Sequence, residues 1–195
     1  SDKAKELEAE WLTWAKRVKV NPYYSHVQQN LAKERTSLKK DAEGFYLLKQ
    51  GDRVNREHAP DFSQKAIEIH LAVTRGKEKG GVLISHGGSR NGYSLYLEDG
   101  KPTFSCRLGG ALHTFRATQA LPKDRISLSV LVAADGRVSL GMGDEVLAEG
   151  KVPGLFKGLP QDPLEVGNDS QSTVANYSFS PRFKGKVHEA KLKLK

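Results

Sequence analysis

Residues 80–110 read GGVLISHGGSRNGYSLYLEDGKPTFSCRLGG, and their pattern decides the fold class. Val82, Leu83 and Ile84 form a short apolar run that stops at Gly87-Gly88. Tyr93 to Leu97 is a second run, rich in β-formers. Asp99-Gly100 between the second and third runs is a hairpin signal, because a two-residue type I′ turn needs positive φ at both central positions. Thr103, Phe104 and Ser105 then return as a third strand. One sheet cannot hide both of its faces, so a chain built from such hairpins is expected to pack two sheets together.

The flanking sequence repeats the pattern. Lys65 to Thr74 alternates cleanly, with Ile67, Ile69, Leu71 and Val73 on one side and Glu68, His70 and Thr74 on the other. Arg125 to Val132 sends Ile126, Leu128, Val130 and Val132 inward, and Asp135-Gly136 leads back through Val138, Leu140 and Met142. Shorter strands are expected at Phe45–Leu48, Leu112–Gln119, Glu145–Glu149 and Leu164–Gly167. Lys186 to Leu194 alternates Ala190, Leu192 and Leu194 against lysines and reads as an edge or surface strand. Gly51 to Asp61 reads as loop, and residues 150–183 are loop-rich. About ten strands with regular turns between them predict an all-β, two-sheet antiparallel sandwich of jelly-roll type.

A helical segment precedes it. Leu7, Trp11, Trp14, Ala15 and Val18 recur at spacings of three and four, opposite Lys5, Glu8, Lys16 and Lys19. Asn21-Pro22 ends this helix or caps a second one lined by Tyr23 or Tyr24, Val27 and Leu31. Residues 1–40 therefore read as a helical lead-in and linker, and 41–195 as the sandwich. Trp11 and Trp14 on one stripe are the candidate docking residues, for this domain's core or for a neighbouring one; ligand stacking is the alternative.

The net charge of +8 is segmental. Residues 1–40 carry +4, residues 184–195 carry +4, and the middle of the chain is neutral. Nucleic-acid binding would call for a basic face on the domain body with exposed aromatics, so no nucleic-acid partner is expected. No apolar run approaches the roughly 18 residues of a membrane span, and no membrane partner is expected. Cys106 is the single cysteine; it has no activating neighbour in sequence and reads as a buried strand residue.

No catalytic constellation is visible. The six histidines lack paired metal-ligand spacing, and His70 and His86 read as structural or solvated. Sandwich glycosidases need two carboxylates across a sugar, and Glu68 stands alone on its strand. Asn168 and Asp169, followed by Ser170 and Ser172, offer oxygens for calcium, or form a plain Asx turn. Tyr93 and Tyr96 fall on opposite faces of their strand, so one of them is a candidate sugar-stacking platform. With Arg90 they make the candidate ligand-binding set.

These residues also carry a resemblance. Gly81 to Gly88 (GVLISHGG), followed by Gly92 to Pro102 (GYSLYLEDGKP), resembles the C-terminal domain of bacterial arylsulfatases, where the form is close to GVLVAQGG and GGYSLYVKDGKP. Leu164 to Ser170 and Phe183 to Val187 resemble that domain's closing region, and Glu6 to Val20 resembles the helix at the end of the sulfatase body. The nucleophile motif, Cys or Ser-x-Pro-x-Arg, has no counterpart here, and neither do the metal-binding aspartates. Residues 20–40 are longer and more polar than in that family. The resemblance implies a concanavalin A-like or laminin G-like sandwich without the enzyme, and a non-catalytic accessory role. The domain would support a covalently linked sulfatase catalytic domain or hold a polysaccharide, with a sulfated one as the expected partner, in a periplasmic or secreted protein. A sandwich glycoside hydrolase or lyase, and a free-standing lectin-like module, are the alternatives.

Overall fold

The computed structural model describes residues 2–17 and 37–195. The chain divides into two compact units, Ser1–Glu34 and Arg35–Lys195. In the first, α1 (Asp2–Arg17) is an amphipathic helix on which Leu7, Trp11 and Trp14 are exposed. Val18 and the expected features at Asn21-Pro22 and residues 23–31 lie outside the described residues.

The second unit contains twelve strands among the described residues: β1 (Tyr46–Leu48), β2 (Arg53–Val54), β3 (Ile67–Thr74), β4 (Gly81–Gly87), β5 (Gly92–Glu98), β6 (Lys101–Leu108), β7 (Ala111–Arg116), β8 (Ile126–Val132), β9 (Arg137–Met142), β10 (Glu145–Lys151), β11 (Leu164–Val166) and β12 (Lys186–Leu194). They form two six-stranded antiparallel sheets, ordered β1-β12-β3-β8-β9-β10 and β2-β11-β4-β5-β6-β7. The all-β sandwich expected from the hairpins is present. Glu98 pairs with Lys101 across a two-residue turn, and Asp99 and Gly100 both have positive φ, 53° and 77°. The second hairpin is built differently. Ala133 and Arg137 close a three-residue loop, and only Gly136 in it adopts positive φ.

The alternating residues of the sequence make the core. Ile67, Ile69, Leu71 and Val73 of β3 face Leu83, Leu95, Leu97 and Phe104 of the other sheet within one apolar cluster that also holds Leu128, Val130 and Leu140. Cys106 is in this cluster, and burial pushes its thiol up to about 12, so it is an inert packing residue.

Two strand expectations change. β12 is not at an edge: it pairs along its length with β3 and by three residues with β1. Its lysines project from one face and meet acids there, as Lys191 does with Asp41 and Glu189. The 51–61 loop contains β2, which pairs with β11.

β4 and β5 are buried on both faces, which explains why their sequence runs nearly without polar alternation. The cover on their outer side is the segment between β11 and β12. Val82 and Tyr96 pack there against Ala175, Tyr177 and Phe179, forming a second small cluster.

Candidate functional site

Across sheet β2-β11-β4-β5-β6-β7, Ser85, Ser94, Ser105 and Thr114 are successive cross-strand partners. Together they form a row of hydroxyls on the outer face, and the covering segment satisfies much of it. Ser85 donates to the Asn168 carbonyl at 2.8 Å, the Tyr177 hydroxyl reaches Ser94 at 2.8 Å, and Ser105 meets both Thr114 and Tyr96. Arg107 clamps the segment by donating from Nε to the Val174 carbonyl at 2.5 Å.

This arrangement assigns the sequence-level candidates. Tyr93 and Tyr96 do point to opposite faces, but neither ring is open to a sugar. Tyr93 is fully buried among Phe62, His86, Phe104 and Phe156. Tyr96 is covered by Tyr177 and Phe179, with ring centroids 5.1 Å and 6.0 Å away. The stacking partners of both tyrosines come from the chain itself, so the expected platform is filled.

Asn168 and Asp169 anchor the same segment. Asp169 Oδ2 accepts from the Val174 N–H at 3.0 Å and from the Tyr177 hydroxyl at 2.6 Å. Burial pushes its carboxyl up to about 6, reinforced by the nearby Glu165 and Asp162 and opposed by those two donors. Glu165 turns instead to Ser170, accepting from its N–H and hydroxyl, and to Arg53. The oxygens that suggested calcium thus hold backbone and hydroxyl donors. Among the described residues, no three His, Cys, Asp or Glu side chains stand together as metal ligands.

Arg90 is the one candidate that reaches an open site. It lines a cleft of about 980 Å³ at one end of the sandwich. Four connections build its walls: residues 56–61 after β2, 90–91 between β4 and β5, 108–111 between β6 and β7, and 153–161 after β10. They are fastened to one another. Asn91 Oδ1 accepts from the Gly109 N–H at 3.0 Å, and the Gly110 N–H donates to the Arg90 carbonyl at 2.7 Å. Gln64 donates to the Phe156 carbonyl from both its backbone and its side chain, tying the first connection to the last. Gly88 has no space for a Cβ, because the Asp162 carboxylate and the Ser172 hydroxyl occupy it.

The chemistry of the cleft is mixed. Arg56, Arg90 and Lys157 bring positive charge, and Glu57 and Asp61 bring negative charge. Leu108, Leu155 and Leu159 supply apolar surface, and Leu159 is 64% exposed. His113 is on the wall, and its buried Nε2 has no hydrogen-bond partner among the described residues. Partial burial raises Asp61, but the Ser63 hydroxyl and N–H outweigh it and hold the carboxyl below the usual range. Under the connections lies an aromatic group of Phe62, His86, Tyr93 and Phe156. The sequence offers no periodic signal for this site, because most of its residues come from four connections far apart in the chain. Only Arg90, beside the double glycine, was singled out.

No protein-family model matches the chain, and no curated protein does. Solved structures resemble it in fold. The CBM40 domain of Ruminococcus gnavus IT-sialidase, bound to α2,3-sialyllactose, aligns over 80% of this chain and 89% of its own length, with a TM-score of 0.54 and 15% identity. Domains LG4-5 of the mouse laminin α1 chain align over 81% of this chain and 40% of theirs, with a TM-score of 0.56 and 18% identity. The NanB sialidase of Streptococcus pneumoniae aligns over 74% of this chain and only 25% of its own, with a TM-score of 0.57 and 12% identity. At such identities the likeness is one of fold, the laminin G-like, concanavalin A-like antiparallel sandwich.

Proposed function

We propose that this chain is a non-catalytic glycan-binding module, the accessory domain of a secreted or periplasmic sulfatase-like protein, and that the end cleft is its saccharide site. The cleft carries this reading. It combines exposed apolar side chains, suited to the C–H face of a pyranose, with charged groups suited to its hydroxyls and acidic substituents. The likeness to a sandwich bound to sialyllactose supports it. The partner expected from the sequence, a sulfated polysaccharide, fits the three cations.

A hydrolase reading fits less well, although Glu57 and Asp61 share the cleft. Glycoside hydrolysis needs two carboxyls facing each other across the sugar, whereas Asp61 is engaged by the Ser63 hydroxyl and N–H and Glu57 by the Asn55 amide. The test is calorimetric titration with a lightly sulfated galactan and its desulfated form, at low and at moderate salt. Binding that survives moderate salt is the expected result. Binding erased by modest salt would reduce the interaction to unspecific charge attraction and overturn the reading.

The exposed stripe of Leu7, Trp11 and Trp14 is the joint to a catalytic body in this proposal. Replacing both tryptophans by alanine should raise solubility and leave the melting of the sandwich unchanged. A drop of several degrees would instead place the helix in the sandwich's own packing.

A further inference from the structure

We infer that the end cleft selects a saccharide unit bearing one anionic group among free hydroxyls, and discriminates against densely charged polyanions. The inference rests on the cleft being the glycan site and adds the class of sugar it takes. Its basis is the order of charge around the rim. Arg56, Arg90 and Lys157 are exposed, and none has an ion-pair partner among the described residues. Three cations left open on one cleft can meet an anion by charge-assisted hydrogen bonds, and arginine can do so through two parallel N–H donors.

The two carboxylates set the limit. Glu57 stands next to Arg56 in the same wall, and Asp61 follows four residues later. With three cations and two anions, the rim has a small excess of positive charge. A single sulfate or carboxylate can settle on the cations while ring hydroxyls donate to Glu57 or Asp61, which only accept. A chain with several sulfates per disaccharide cannot do both. Some of its anions would face the two carboxylates at short range, where like charges repel. Leu108, Leu155 and Leu159 add an apolar face that rewards a ring's C–H surface rather than further charge.

The experiment uses the full chain and calorimetric titration at moderate salt. The probes are glucuronosyl-xylobiose, with one carboxylate, and neocarrabiose 4-O-sulfate, with one sulfate. Xylotriose and desulfated neocarrabiose are the neutral counterparts, and heparin is the polyanion. The expected result is that at least one singly charged probe binds about tenfold or more tightly than its neutral counterpart, and more tightly per site than heparin. The pair that shows the margin tells whether the anion is a carboxylate or a sulfate. The double variant Arg56→Gln/Arg90→Gln should lose that margin, and Glu57→Gln should narrow the gap to heparin. All three residues are exposed, and unchanged melting of the variants confirms that they fold. Equal binding of charged and neutral probes, or tighter binding of heparin, overturns the inference while glycan binding stands. Binding to no saccharide overturns both.

Discussion

Replacing His86 by leucine should change the pH dependence of stability by about 4 kcal/mol between pH 7 and pH 3. His86 is fully buried; its Nδ1 lies 3.3 Å from the Tyr93 hydroxyl, and its Nε2 has no hydrogen-bond partner among the described residues. Burial pushes its pKa down to about 3, and the Asp61 carboxylate opposes the shift without reversing it. The folded domain therefore keeps this imidazole neutral, whereas the unfolded chain takes up a proton near pH 6.5. The stabilisation is complete above pH 6.5. It is lost progressively as pH falls toward 3, by about 2 kcal/mol at pH 5.

Asp169 acts in the opposite direction. Its folded pKa is raised to about 6, so its contribution is present below its unfolded pKa and is lost as pH rises through 6. The two effects oppose each other between pH 6 and 4, which flattens the profile of the unaltered domain. The His86→Leu variant removes one of them. Its urea midpoint should gain on that of the parent at each step from pH 7 to pH 4. Midpoints that move in parallel would show that His86 titrates normally in the folded domain.

Phe62→Ala should destabilise the sandwich by about 3–5 kcal/mol. Phe62 is fully buried, with ring centroids 4.7 Å from Phe156, 4.8 Å from His86 and 5.5 Å from Tyr93. Its removal leaves a void among side chains anchored on β4, on β5 and on the loop after β10, so little can collapse into it. For a domain of this size, melting should fall by about 10 °C or more. The urea midpoint should fall with an unchanged slope. A loss below about 1 kcal/mol would mean that the loop around Phe62 closes over the space. Phe62→Leu, which keeps most of the volume, should recover much of the difference. The same substitution probes the cleft, because Phe62 follows Asp61 directly and supports the wall that carries it.

Much of the architecture was legible in local pattern. The inward set of β3 and the turn at Asp99-Gly100 follow from period-two alternation and from the φ requirements of a two-residue hairpin. The buried reading of Cys106 was also local, since nothing beside it in sequence activates the thiol. Of the two readings for β12, an edge or a surface strand, the edge fails, because lysine on one face reads alike on an edge strand and on an internal strand whose outer face meets solvent and acids. β2 was missed because two residues carry no period.

The sites were less legible. Tyr93 and Tyr96 were placed on the correct faces, but whether a face is open depends on what packs over it. Tyr177 and Phe179, about eighty residues later, close one of them. The Ser85-Ser94-Ser105-Thr114 row has the same origin: each hydroxyl is unremarkable in its own strand, and only the cross-strand register aligns them.

Sequence alone therefore established the fold class, the positions of most strands, the inward face of the alternating ones and the amphipathic stripe of the leading helix. These follow from side-chain period and turn chemistry, which act over a few residues. Tertiary structure decided the strand order, the closure of the outer sheet face, the burial of His86 and the cleft that gathers Arg56, Arg90 and Lys157. Those features depend on segments far apart in the chain meeting in space, and that meeting is set by packing the whole core, which no local window contains.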